Sequence, residues 1–168
     1  MVQPGRSLAA ADLLLDHQLL IHRGLAALER AQKFGGALGP YGLQAAIAAC
    51  HARARTAEET DWIRIAALYD GLAKLAPSPI VELNRAVALA MAFGPAMGLE
   101  VVDGLTSEPA LQTYRMLPSV RGDLLERLGR YDEARQELTR AAALARNERE
   151  STLLRERAAA CARAHHAS

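Results

Sequence analysis

Apolar residues recur in this sequence mostly at the three- and four-residue intervals of helices, and few stretches alternate as half-buried strands do. Between Ser7, a residue type that caps helix N-termini, and Gly35-Gly36, which stop them, Leu13, Leu14, Leu20, Ile21, Leu25 and Leu28 fall largely on one stripe. This predicts a first long helix over about 7–34. Gly39-Pro40 opens a second helix, to about residue 54. The polar run 55–59 is expected to be a loop, with Thr56 or Thr60 capping the helix that follows; Thr56 and Glu59 have capping-box spacing. That helix extends to about Leu75, where Pro77-Ser78-Pro79 stops it. Pro79 takes the favoured first-turn position of the next helix, and Gly94-Pro95 divides that helix from one over about 95–105. Ser107-Glu108-Pro109 breaks the chain again, Pro118 starts a helix to Leu128, and Gly129 ends it. Helices at about 131–145 and 148–165 complete the chain. The connections are short, so successive helices should be antiparallel neighbours.

Composition points the same way. Ala and Leu dominate, and adjacent β-branched pairs are confined to Ile80-Val81 and Val101-Val102. Ala, Leu, Arg and Glu lose little side-chain entropy in a helix, whereas β-branched residues lose more. The expected fold is therefore all-α. At 168 residues the chain is long enough for one helical domain over 1–168 or a short solenoid, and it buries enough surface to need no staple.

Within this pattern a repeat emerges. Gly122, Ala134, Leu138 and Ala141 place small residues twelve apart, a large apolar residue four later, and a small one three further on. Gly129 and Tyr131 sit at the intervening turn. This spacing resembles the tetratricopeptide (TPR) repeat, in which two helices cross closely where a small side chain lets the backbones approach. Ala86, Gly98 and Val102 repeat it 36 residues earlier. Tyr69-Asp-Gly-Leu72-Ala-Lys-Leu75-Ala-Pro77 looks like the end of another second helix. The expectation is a TPR-like antiparallel hairpin array with about three helix pairs, at 40–76, 79–106 and 117–145. A long N-terminal helix within 7–37 precedes the repeats of 38–146, and a capping helix and tail occupy 147–168.

Twenty basic residues against nineteen acidic ones leave a net charge of +1, which gives no global attraction to nucleic acid or acidic lipid. No apolar run approaches a membrane span, and the N-terminus lacks the apolar core of a secretory signal, so a soluble cytoplasmic chain is expected. Phosphate-loop, dinucleotide, zincin and nucleophile-elbow motifs are missing. Cys50 and Cys161 do not form a CxxC pair, and His17 and His22 are five apart, poorly placed for one metal. Cys50 reads as a core cysteine beside a surface His51. Glu58, Glu59 and Asp61 suit a helix N-terminus. Arg146, Arg149, Arg155, Arg157 and Arg163 alternate with Glu148, Glu150 and Glu156, as on a solvated face. No catalytic residue, cofactor or metal site is expected.

Candidate binding residues come from the first helices of the pairs, which line the inner face of a TPR array. They are Gln44, His51, Asn84, Arg85 and Arg121. Gln44, Ala48 and His51 share a helix face, while Asn84 and Arg85 interrupt an otherwise mostly apolar helix and must find partners or face a groove. Partnering by nearby loops, Asp61 or Asp70 is the structural alternative for that pair. Trp62 and Tyr69 would hold the groove in shape, and serve as contacts where exposed.

Three segments carry a closer resemblance: Tyr41-Gly-Leu-Gln44-Ala-Ala-Ile47-Ala-Ala, Thr60-Asp61-Trp62-Ile-Arg-Ile65-Ala-Ala-Leu-Tyr69-Asp70, and Leu75-Ala-Pro77-Ser-Pro79-Ile-Val-Glu-Leu83-Asn84-Arg85-Ala86-Val87-Ala88. Over about 38–146 the chain is similar to the C-terminal extension of a group of bacterial extracytoplasmic-function (ECF) sigma factors. The resemblance implies a regulatory, protein-binding TPR-like extension, with the sigma core domains, RNA polymerase or a regulatory protein as partner. It does not carry promoter recognition to this sequence, which has no room before residue 38 for the two sigma domains and shows no basic recognition helix. An excised extension, a stand-alone version and a truncated product all fit that departure. The alternatives are a stand-alone scaffold, or a small-molecule sensor whose pocket is lined by His51, Trp62, Tyr69 and Arg85. An enzyme is the least supported.

Overall fold

The computed structural model describes residues 39–56 and 59–166. The expected N-terminal helix within 7–37, Glu58 and the last two residues of the tail lie outside the described residues. Among the described residues seven α-helices form: α1 (Pro40–Arg53), α2 (Trp62–Leu75), α3 (Pro79–Phe93), α4 (Pro95–Gly104), α5 (Met116–Arg127), α6 (Tyr131–Ala143) and α7 (Glu148–His166). A single 3-10 turn spans Pro109–Leu111, and no strand occurs among the described residues. The fold is all-α and TPR-like. α1 packs on α2, α3 on α4 and α5 on α6 as helical hairpins, and α7 packs on α6. The molecule divides into two compact units, Met1–Ala76 and Pro77–Ser168.

In the first unit α1 buries Leu43, Ile47 and Cys50, one stripe at i, i+4 and i+7. α2 buries Ile65, Leu68 and Leu72 on the matching stripe, with Ala66 and Ala67 beside them. Neither Thr56 nor Thr60 caps α2. The cap is Asp61, whose Oδ1 accepts from the Arg64 N–H at 3.0 Å. A carboxylate satisfies an orphan donor and also faces the positive end of the helix dipole. Thr56 Oγ1 does accept from the Glu59 N–H, but Glu59 Oε2 reaches back to the Arg55 N–H, so the pair closes a turn ahead of the helix. Thr60 donates its hydroxyl to the Thr56 carbonyl.

The second unit follows the predicted spacing closely. Ala86, Gly98, Val102, Gly122, Ala134, Leu138 and Ala141 are all buried. A Cβ on Gly98 would lie 2.6 Å from the Ala86 carbonyl oxygen, and one on Gly122 would lie 2.9 Å from Leu138 Cγ. These are the points where α3 meets α4 and α5 meets α6. α5 begins at Met116, two residues before the predicted Pro118. Pro118 sits in the first turn, where the helix has no use for its missing N–H. The break expected at 107–109 widens to a connection over 105–115, within which the 3-10 turn drops Leu111 into the core with Leu117. α5 ends in a Schellman motif: Arg130 N–H bonds Leu125 O at 2.9 Å and Gly129 N–H bonds Glu126 O at 3.0 Å. Gly129 adopts φ 74°, which favours glycine. The buried Ser151 of α7 donates to the Ala142 carbonyl, joining α7 to α6.

Candidate functional site

In the first unit Gln44, Ala48 and His51 do share the exposed face of α1. His51, near the end of α1, and Trp62, the first residue of α2, meet edge-to-face with ring centroids 5.3 Å apart and planes at 73°. An aromatic pair of this geometry contributes about 0.5–1.5 kcal/mol beyond area burial, and here it braces the end of the hairpin where the connecting segment joins α1 to α2. Tyr69 is half-buried, and burial pushes its hydroxyl above the usual range. Cys50, beside His51, is a free thiol turned into the core.

In the second unit Asn84 is exposed on α3, so it carries no burial cost. Arg85 is half-buried and donates from Nε to Glu82 Oε2 at 3.0 Å, an i,i+3 pair on its own helix. That spacing was legible in the sequence. Arg121 ties three helices. Its Nε donates to Asp103 Oδ1 at 2.8 Å, and its Nη1 to Glu137 Oε1 at 2.9 Å. Burial by itself lowers Arg121, and the hydrogen bonds and charges of Asp103 and Glu137 outweigh it, so its proton is held more tightly than usual. Two of its nitrogens are thus engaged in bracing α4, α5 and α6 against one another.

A different set of side chains forms the groove of this unit. Val87, Ala90 and Met91 of α3 face Ser119, Val120, Asp123, Leu124 and Arg127 of α5, with Arg157 of α7 at one side, around an open cavity of about 210 Å³. α3 and α5 are first helices of their pairs, and α7 stands where a further first helix would follow. The groove thus lies on the helices expected to line the inner face, while none of the seven candidate side chains lines it. Val87 was part of the quoted sequence resemblance, but nothing in its local pattern marks it as a groove residue. Arg157 was expected on a solvated face. Instead its Nη2 donates to Asp123 Oδ1 at 2.7 Å and to Glu126 Oε2 at 2.5 Å, linking α7 to α5. Leu154, Ala158 and Cys161 turn the next stripe of α7 inward, and this carries Arg157 to the edge of the interface. Arg155 keeps the solvated role, with Glu148 at 3.7 Å. Arg127 is exposed and makes no ion pair among the described residues.

No group of three or more His, Cys, Asp or Glu side chains among the described residues is arranged to hold a metal ion. No described helix is long and apolar enough to cross a membrane. No family model matches the sequence, and no solved structure matches it. Among curated proteins the chain is similar to an uncharacterized protein of Rhizobium meliloti strain 1021, with 45% identity over 136 residues. The match covers 81% of this chain and 31% of that protein, so the chain spans about a third of the length of the relative.

Proposed function

We propose that this chain is a non-catalytic, TPR-like protein-interaction domain of the kind that extends ECF sigma factors. In this reading it acts in transcription initiation in the cytoplasm by contacting the sigma core, RNA polymerase or a regulatory protein. It does not itself bind DNA. The observation that carries the reading is the open groove on α3, α5 and α7, with its apolar floor and charged rim, on the inner-face helices of a TPR-like hairpin unit. The resemblance over 38–146, centred on Leu75–Ala88, supplies the link to transcription. The relative agrees in proportion, since more than two-thirds of it lies outside the matched region and leaves room for further domains.

The groove favours a macromolecular partner over a metabolite. Small-molecule sites typically enclose about 300–1,000 Å³ and most of the ligand. This one is smaller, at about 210 Å³, and open along one side. Purification of the tagged chain together with RNA polymerase and sigma core domains tests the proposal. Recovery of polymerase subunits or a sigma core is the expected result. Recovery of neither, with a metabolite raising the melting temperature, would overturn it in favour of a sensor.

A further inference from the structure

We propose that the groove between α3, α5 and α7 seats an acidic amphipathic helix from a protein partner. The proposal deepens the interaction reading above and rests on it. Three observations select this occupant.

The first is apolar surface left uncovered. Met91, on the groove wall, is 40% exposed, and Leu153, one turn before Arg157 on the same face of α7, is 58% exposed. Met91 continues the apolar floor that Val87, Val120 and Leu124 lay across α3 and α5. A methionine at such a rim adapts its shape to the side chain that enters.

The second is the state of the charges. Asp123 is already matched by Arg157, which also holds Glu126. A basic partner would have to displace Arg157 from both carboxylates. Arg127, exposed one turn beyond Asp123 on α5, has no ion pair among the described residues to lose. An incoming carboxylate therefore gains a partner and breaks nothing, so charge complementarity favours an acidic segment.

The third is the backbone. No strand edge is offered among the described residues, so an extended peptide would find no ladder of donors and acceptors. A furrow between helices instead accepts the ridge of another helix, read by apolar anchors at i, i+3 or i+4, and i+7.

The test is selection of a displayed random-peptide library on the full chain, followed by fluorescence anisotropy on the recovered peptides. Recovered sequences are expected to carry helically spaced apolar anchors flanked by Asp or Glu. Met91→Glu and Arg127→Glu should each weaken binding by about fivefold or more, while Arg127→Lys retains most of it. Both side chains are exposed, so the variants should melt with the wild type, which separates loss of binding from loss of fold. Recovery of no peptide, recovery of basic or extended sequences, or binding indifferent to both charge-bearing variants would overturn the proposal. Its failure is distinct from failure of the transcription reading. The latter is decided by whether the wild-type chain captures polymerase or sigma core at all, the former by whether peptide binding passes through Met91 and Arg127.

Discussion

A methyl group added at Gly98 would lie 2.6 Å from both the Ala86 carbonyl oxygen and Ala90 Cβ, neither of which can swing aside. At Gly122 the nearest atoms belong to the Leu138 side chain, at 2.9 and 3.0 Å, with the Leu138 nitrogen at 3.3 Å. At Gly104 nothing lies within 4 Å. Urea unfolding should therefore rank three alanine variants. Gly98→Ala should lose about 2–3 kcal/mol and Gly122→Ala about 1–2 kcal/mol, since overpacking a tight crossing forces backbone apart. Gly104→Ala should be neutral or gain up to about 1 kcal/mol by restricting the unfolded chain. Equal losses at all three would refute the crossing argument. Arg121 gives a second prediction at this scale. Its side chain is 18% exposed and that of Glu137 is 15% exposed, so Arg121→Met strands a largely buried carboxylate whose Oε2 already lacks a hydrogen bond. A loss of about 2–4 kcal/mol is expected, and Glu137→Gln in the same chain should restore part of it. If the double variant is no more stable than the single one, the charge is not the cause.

At the scale of elements, the helix ends at Pro40, Pro79, Gly94-Pro95 and Gly129 were legible because those effects act on the local backbone alone, whereas Pro118 falls inside the first turn of α5 rather than at its start. The α2 cap was not legible, since Thr56, Thr60 and Asp61 all carry a suitable oxygen within six residues and folded geometry selects among them. Asp61→Ala should cost about 0.5–2 kcal/mol in thermal or urea unfolding, while Thr60→Val should cost less. The reverse order would move the cap. The start of α6 makes a prediction about pH. Arg130 donates Nε and Nη2 to Glu133 at 2.7 Å each, and this hydrogen bonding holds the Glu133 carboxyl below the usual range. A carboxyl lowered in the folded state stabilises above its unfolded pKa and loses that contribution as pH falls through the folded value. Melting of Arg130→Ala should therefore depend less on acid below about pH 4.3 than melting of the wild type. The pair is exposed, so the difference is small, and indistinguishable acid profiles would remove the pair from the stability of α6.

At the scale of the whole molecule, the large buried cluster draws every member, from Leu83 to Cys161, from the second unit. A fragment of residues 77–168 should then fold alone, with a helical circular-dichroism spectrum and one cooperative melt. A broad, non-cooperative transition would show that this core needs the preceding unit. The same scale explains why the groove was hidden. Its walls come from residues 87–91, 119–127 and 157, brought together by the packing of α4, α6 and α7 between and around them. None of these residues interrupts its local pattern as Asn84 and Arg85 do, so nothing local drew attention to them.

Breakers, helix-favouring composition and the twelve-residue spacing of small side chains were enough to specify the helices from α1 to α7 and the hairpins of the second unit. Those properties depend on steric demands between residues close in sequence, or on one crossing per hairpin. The partners of charged side chains were another matter. Arg121 reaches across 16 and 18 residues to Glu137 and Asp103, and Arg157 across 31 and 34 to Glu126 and Asp123. Whether an arginine clamps helices, lines a groove or stands in water depends on which stripe of its helix the core claims and on what the neighbouring helix presents there. Side chains acquire those relations only when the helices pack, and so the identity of the groove residues rests on three dimensions rather than on the order of the chain.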